Sequence, residues 1–354
     1  MIGKTVKDPI GILTASRKPD VLGGNVSNFR RIIQAAHSQD ISCAIYNVCP
    51  REVTVYRYSQ QGSLKKESFV GFPKVLYNRI PTRVLENQDV VKKTIHELER
   101  QGRKITNPHF LRKDEIAALW DSRTDLAACT PRSHVVRHAE DILDFVSTGE
   151  YDGLYLKPIS GKAGIGIFHM AKHGQHFEVL EQQKGRRVRH GLFTYKELSD
   201  WILTRRWGQH YLLQEEAAVE HYRGRRFDLR LLLHKDSNAS FALTGAGVRI
   251  GPARGITTHV PNGGEIAKPQ DVLKDLYGKR AEYVLYQASD VAVKAADAIA
   301  TSPGIWSELS IDMGLMKDGS PVLFEANAKP MKFDEPSIER LAKKRLIQCL
   351  HHLA

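Results

Sequence analysis

The chain has 354 residues, with 52 Lys and Arg against 40 Asp and Glu, for a formal net charge of +12. Its 42% apolar content excludes a disordered chain, and its length suggests two or three domains, each able to bury a core. No run approaches the about 18 apolar residues of a membrane span, so no membrane partner is expected.

Residues 1–9 carry charges without an apolar core, which is not the build of a secretory signal, and a cytoplasmic protein is expected. Ile10-Gly11-Ile12-Leu13 predicts a short buried strand ending at Thr14-Ala15-Ser16. Phe29, Ile32, Ile33 and Ala36 recur at helical spacing, and residues 41–46 resume a strand. Lys74-Val75-Leu76-Tyr77 predicts a further strand that ends in Asn78-Arg79. Strand, helix, strand in close succession is the pattern of a parallel α/β unit. Ligands of such sheets sit beyond the carboxyl ends of the strands, which places Thr14, Ser16, Asn78 and Arg79 near any crevice here. Ordinary loop polarity explains each of them equally well.

A helix over 93–101 and a turn at Asn107-Pro108 lead into a second region. A helix is predicted over 113–128, stopped by Thr130-Pro131. Strands follow at 153–157, 166–169 and 211–214, and Thr194-Tyr195-Lys196-Glu197 is a capping box opening a helix through Trp201 and Ile202. Later strands are predicted at 229–234, 241–243 and 322–325. Residues 281–300 predict a long helix with Val284, Ala288, Val291 and Ala295 on one side. No internal repeat is present. The four cysteines, Cys43, Cys49, Cys129 and Cys349, show no C-x-x-C pairing, which argues against a zinc ribbon or a disulfide framework and suits a reducing compartment.

Three motifs carry chemistry. In residues 156–167 a strand ends in Lys157-Pro158, and Gly161, Gly164 and Gly166 lead into the next strand. Glycines let successive backbone N–H groups surround phosphate oxygens, although a plain turn explains the same residues. The second motif is Asp312 followed by Glu325-Ala326-Asn327. Glu325 and Asn327 share a strand face, and Asp312 can join them across the Lys317-Asp318-Gly319 turn. Two carboxylates and one amide oxygen suit Mg²⁺; a solvated hairpin with incidental acids is the alternative. The third is Phe227-Asp228-Leu229-Arg230, with Asp228 and Arg230 on one strand face and Arg249 at the end of a neighbouring strand. Fixed guanidinium groups can clamp a phosphoryl group or a carboxylate, while for Asp228 a structural Asp–Arg pair is the favoured reading.

The order of these parts, Lys-Pro with a glycine loop, then Gln214-Glu215-Glu216, then Asp-x-Arg, then Asp…Glu-x-Asn, resembles the ATP-grasp superfamily. Within it the chain is most similar to the endospore coat-associated YheC/YheD-like proteins, over about residues 10–335. The resemblance implies an α/β (α+β) ATP-grasp fold. A Rossmann-like pre-ATP-grasp domain would span 1–110 and an ATP-grasp domain 111–354, with a lid over about 131–213 and a core over about 214–354. It implies ATP and Mg²⁺ as cofactors. Lys113 and Lys157 would contact phosphate, and Ser160, Gly161, Gly164 and Gly166 would cover the β- and γ-phosphates through their amides. Gln214, Glu215 and Glu216 would hold the adenine edge, and Asp312, Glu325 and Asn327 would bind the metal. Arg230 and Arg249 would stabilise the transferred phosphoryl group.

The implied reaction is ATP-dependent joining of a carboxylate to an amine through an acyl phosphate, with release of ADP and phosphate. The alternative is a spore-coat-associated protein that binds nucleotide without turnover, with coat proteins as partners. Asn78 and Arg79 are candidates for the carboxylate partner. Three positions depart from the usual pattern: Arg112 before Lys113, His259 in the loop before Gly263-Gly264, and Ser310 two residues before Asp312. The basic clusters around Arg186 and Arg223 do not interleave with aromatic residues, so an acidic peptide fits them better than nucleic acid.

Overall fold

In the computed structural model, the described residues are 9–59, 62–149, 151–161, 164–205, 207, 210–236, 238–331, 333 and 335–354, with Pro261 described by its backbone only. Three sheets organise the chain, each of six strands among the described residues. The first holds β1 (Ile10–Ala15), β2 (Cys43–Val48), β3 (Val53–Tyr58), β4 (Leu64–Glu67), β5 (Val75–Asn78) and β6 (Lys104–Thr106), in the order β4-β3-β2-β1-β5-β6. β2, β1, β5 and β6 are parallel, as the strand–helix–strand pattern predicts, and β3 and β4 extend the sheet as antiparallel edge strands.

β1 is buried along its whole length because both faces are covered. Ile10 and Ile12 face Phe29, Ile32 and Ile33 of α1 (Val26–His37), while Leu13 and Ala15 face the cluster containing Val91 and Leu98. Those two residues belong to α3 (Asp89–Arg100), which follows the single turn α2 (Arg83–Glu86) and begins four residues earlier than expected.

α4 (Lys113–Asp121) stops well short of the predicted end at residue 128. Ser122 turns its hydroxyl back to the Leu119 carbonyl, and Arg123 pairs with Asp125 at 3.0 Å, local bonds that compete with helix propagation. The chain beyond is then held by the fully buried Leu126.

The second sheet comprises β7 (Ser133–Val136), β8 (Gly153–Pro158), β9 (Ile167–His173), β10 (His176–Gln183), β11 (Arg186–Thr194) and β12 (Tyr211–Glu215). It is antiparallel, in the order β11-β10-β9-β8-β12-β7. α5 (Ala139–Ser147) and α6 (Tyr195–Thr204) pack on it through Ile142, Val146, Leu198 and Ile202. The capping box at the start of α6 forms as the sequence predicts: Glu197 accepts from the Thr194 N–H at 2.8 Å, and the Thr194 hydroxyl accepts from the Glu197 N–H.

The third sheet follows β13 (His221–Tyr222), which pairs with β14. It contains β14 (Arg225–Lys235), β15 (Phe241–Ile250), β16 (Glu265–Ala267), β17 (Glu308–Leu315) and β18 (Pro321–Asn327), in the order β16-β15-β14-β17-β18. Its helices are α7 (Pro269–Tyr277) and α8 (Ala281–Ala300). Leu229, Leu231 and Leu233 of β14 bury against Val284, Ala288, Ala292 and Ala295 of α8. The alternating Asp228 and Arg230 are therefore turned to the other face, where the cavity lies. The closing helix α9 (Pro336–Leu353) returns to the first sheet, where Leu346, Ile347 and Leu350 join the Ile10–Ile12 core. Each of these side chains contributes about 1.5–3 kcal/mol by burial, so α9 ties the two ends of the chain together. Among the described residues no helix is long and apolar enough to cross a membrane.

Candidate functional site

A cavity of about 930 Å³ opens between the three sheets. One wall is the apex of the first sheet, with Thr82, Arg83 and Val84. A second is Lys113 at the start of α4 together with Ser160 and Gly161 of the β8–β9 loop, and the floor is the third sheet.

On that floor, register places the charged residues side by side. Asp228 lies opposite Arg249, Arg230 opposite Asp312, and Asp312 opposite Glu325. Arg230 grips Asp312 with two bonds of 2.8 Å, and Arg249 Nη2 reaches the same carboxylate at 2.9 Å. Arg249 also binds Asp228 at 2.8 and 2.7 Å, and the Thr258 hydroxyl donates to Asp228. The Asp–Arg pair expected for Asp228 therefore exists, and its partner is Arg249. Burial would raise the Asp312 carboxyl, but the two guanidinium groups outweigh it and hold it well below the usual carboxylate range. Arg249 is buried and held strongly protonated by Asp228 and Asp312, against the cost of its own desolvation. Neither Arg230 nor Arg249 engages Nη1 in a hydrogen bond among the described residues, and both side chains line the cavity.

Glu325 pairs with Lys113 at 2.9 Å, joining β18 to the first turn of α4. Burial and the nearby Asp312 push its carboxyl up, yet the Lys113 ammonium holds it below the ordinary value. Lys157, at the end of β8, donates to Gln214 on β12 and lies 5.5 Å from the Tyr155 ring and 5.7 Å from the Phe324 ring. Burial, with Lys113 adding like-charge repulsion, draws it down to about 8. Gln214 passes the chain of bonds on to the Ser133 hydroxyl at 3.0 Å.

Other predicted residues stand elsewhere. Glu215 pairs with Arg132 at 3.4 Å, and Glu216 with His169 and Arg226 at 2.7 and 2.6 Å; both acids line a separate cavity of about 680 Å³. In the glycine loop, the Gly161 N–H bonds the Pro158 carbonyl and the Gly166 N–H bonds the Gln182 carbonyl. Gly164, at φ +70°, abuts His259: a Cβ there would lie 2.6 Å from the imidazole. Lys162 and Ala163 of the same loop lie outside the described residues. Thr14 and Ser16 brace the loop after β1, bonding the carbonyls of Gly23 and Lys18. Asn78 bonds Glu86, the Pro108 carbonyl and Lys329, and Arg79 bonds Tyr77 and the Pro330 carbonyl, so both are committed to internal contacts.

Several cavity residues went unassigned in the sequence. Lys329, two positions after Asn327, binds Glu86 at 2.5 Å and lies 4.3 Å from the Phe110 ring; burial draws it down to about 8. His259 lines the cavity, its imidazole shifted down by burial and then by Arg249. Arg83 lies over Phe110, and Glu335 closes the far wall. The spacing after Asn327 offered a signal for Lys329; nothing local distinguished Glu335.

Among the described residues no group of three or more His, Cys, Asp or Glu gathers as a metal site. Asp312, Glu325 and Asn327 instead offer two carboxylates and an amide, an oxygen set suited to a hard divalent ion. Among the described residues Asn327 Nδ2 is buried without a partner, as is the Oγ of Ser310 opposite it, so this end of β18 has bonding capacity that these residues leave unused. Asp312 would share its oxygens with two guanidinium groups. The donors fit Mg²⁺.

Comparison with known proteins accords with this geometry. The family model described as YheC/D like ATP-grasp matches residues 102–353. Endospore coat-associated protein YheD of Bacillus subtilis (strain 168) is 26% identical over 310 residues, covering 84% of this chain and 66% of that protein. Glutathione synthetase of Nitrosomonas europaea is 28% identical over 128 residues, 35% of this chain and 38% of that enzyme. The chain thus spans less than two thirds of the length of either relative. The solved structure of VanG D-Ala:D-Ser ligase from Enterococcus faecalis superposes with a TM-score of 0.55 at 12% identity, over 97% of this chain and 99% of that one, a likeness of fold.

Proposed function

The chain belongs to the YheC/D-like ATP-grasp family, and from that premise we propose that it joins a carboxylate to an amine at the expense of ATP. The observation that carries the reading is convergence. Lys113, Glu325, Asn327, Arg230 and Arg249, from four distant stretches of sequence, line one cavity, with Asp312 and Lys157 directly behind them. Lys113 and Lys157 are the phosphate-facing cations of this proposal, beside Ser160 and Gly161. Asp312, Glu325 and Asn327 would hold Mg²⁺, which on binding would neutralise charge between the β- and γ-phosphates.

The chemistry balances without a protein nucleophile. A substrate carboxylate oxygen forms a bond to the γ-phosphorus as the bridging P–O bond breaks, so ADP leaves and an acyl phosphate remains. The amine nitrogen then bonds the acyl carbon while the C–O bond to phosphate breaks. One proton leaves the ammonium for solvent before attack, and a second leaves with phosphate. Among the described residues the Nη1 groups of Arg230 and Arg249 make no hydrogen bond, and both side chains are locked by Asp312 and Asp228, so they would meet the developing negative oxygens without reorganising. Loss of one such donor typically costs about 10²–10³ in rate.

The test is ADP formation over a panel of carboxylate and amine pairs, with Glu325→Ala as the blank. Acid-dependent ADP release in wild type and its loss in the variant support the reading; equal activity in both removes Glu325 from it.

A further inference from the structure

We propose that the carboxylate partner is an amphipathic acid, whose apolar body rests on the rim of the cavity while its head group meets the arginines of the floor. This deepens the ligase reading and rests on it, because in that reaction Arg230 and Arg249 meet the carboxylate.

Large apolar side chains left in solvent gather at this cavity. Val84, Ile165, Val260, Ile266 and Met331 all line it, and they are between 38% and 71% exposed. They come from four separate stretches of chain: α2, the glycine loop, the segment from 260 to 266, and the segment after β18. A single exposed apolar residue needs no explanation, but the convergence of five on one concave, basic site marks a binding surface.

Contacts of neighbouring residues place these side chains. Gly164 abuts His259, which brings their chain neighbours Ile165 and Val260 close, and Ile266 stands opposite Arg249 in the β15–β16 register. Register partners stand about 5 Å apart, so this apolar group begins where the guanidinium floor ends. Arg83 and Lys329 lie 5.1 and 4.3 Å from the Phe110 ring, and Arg79 holds the Pro330 carbonyl at 3.2 Å. Those contacts set Val84 and Met331, the residues that follow Arg83 and Pro330, on the wall of the first sheet. The cations of that wall are largely occupied. Lys329 donates to Glu86, Asn78 and the Ile80 carbonyl, and Arg83 to the Leu111 carbonyl. Arg17 is exposed and has no acid partner among the described residues. A dicarboxylate would therefore find one exposed guanidinium and the repulsion of Glu335, whereas an apolar body finds five side chains to cover. The basic floor selects an acid over an amine as the head group.

Calorimetric titration of the full chain, loaded with Mg²⁺ and a non-hydrolysable ATP analogue, tests this with acetate, butanoate, hexanoate, adipate and hexylamine. Affinity should rise about threefold for each methylene from acetate to hexanoate, and hexanoate should bind at least tenfold more tightly than adipate or hexylamine. The triple variant Val84→Thr, Ile266→Thr, Met331→Gln replaces exposed apolar side chains by polar ones of similar size. It should weaken hexanoate at least tenfold, leave acetate unchanged and keep affinity for the ATP analogue within twofold. In turnover it should raise KM for hexanoate and spare kcat. Equal affinity along the series, or adipate or hexylamine binding more tightly than hexanoate, overturns the proposal. So does an equal loss of ATP-analogue affinity in the variant, which would assign the rim to the nucleotide. If chain length governs binding but no acid supports ADP formation, the apolar site stands and the ligase reading falls. If ADP forms with the same KM for every acid of the series, the reverse holds.

Discussion

Lys157 offers a quantitative test of where the nucleotide binds. Its ammonium is enclosed among Tyr155, Phe324 and Gln214, and burial together with Lys113 draws it down to about 8. Above that pH the free protein increasingly holds a neutral lysine, while an anionic phosphate beside it favours the charged form. ATP binding should therefore take up a proton. If only the charged form binds, the apparent Kd scales as 1 + 10^(pH − 8). It should be about twofold weaker at pH 8 than at pH 7, and about tenfold weaker at pH 9. Titrations of Mg-ATP at constant ionic strength, in two buffers of different ionisation enthalpy, measure both affinity and proton uptake. Uptake should approach one proton per site at pH 9. Lys157→Met should weaken binding at pH 7 and flatten the profile. Lys329→Met should keep the slope, because Lys329 is paired with Glu86 rather than facing Glu325. A flat profile in wild type, or a slope that survives Lys157→Met, would refute the assignment of Lys157 to phosphate.

Asp312→Asn leaves Arg230 without its carboxylate partner in a buried setting, and should cost about 3–5 kcal/mol in urea denaturation; a loss below about 1 kcal/mol would contradict the geometry. Gly164→Ala forces a Cβ against His259 at positive φ, so it should raise Kd for ATP, and pairing it with His259→Ala should recover part of that loss. Burial would raise Glu216, but His169 and Arg226 outweigh it and lower it to about 2. Because the folded value is depressed, its stabilisation is full above the unfolded value of about 4.5 and disappears as pH falls toward 2. The amount is about 3 kcal/mol, and Glu216→Gln should flatten stability over that window.

The parts of the molecule legible in the sequence are those set by local pattern. The fully apolar β1, the spacing of Phe29, Ile32 and Ile33 in α1, the Thr194–Glu197 capping box and the long α8 all follow from periodicity or capping chemistry. The Asp312 and Glu325 juxtaposition was also legible, since a hairpin turn fixes which residues meet. Pairings that depend on strand order were not. Asp228 sits two residues from Arg230 on one strand, yet it bonds Arg249, because β14 lies between β15 and β17 and each neighbour supplies a different partner. An amphipathic helix such as α9 likewise does not state where it docks. Its return to the first sheet is what brings Glu335 to the cavity. Asn78 and Arg79 lie at a strand end as topology suggests, but Lys329, Glu86 and the Pro330 carbonyl absorb their bonding capacity.

In the proposed reaction the convergent cations and acids of one cavity transfer the γ-phosphoryl group of ATP to a carboxylate. The most direct measurement is mass spectrometry of products from wild type and Glu325→Ala, incubated with Mg-ATP and a carboxylate carrying ¹⁸O in both oxygens. Transfer through an acyl phosphate predicts one ¹⁸O atom in the released phosphate, one amide product per ADP, and neither from the variant. Phosphate free of ¹⁸O, or ADP formed equally by both proteins, would contradict it.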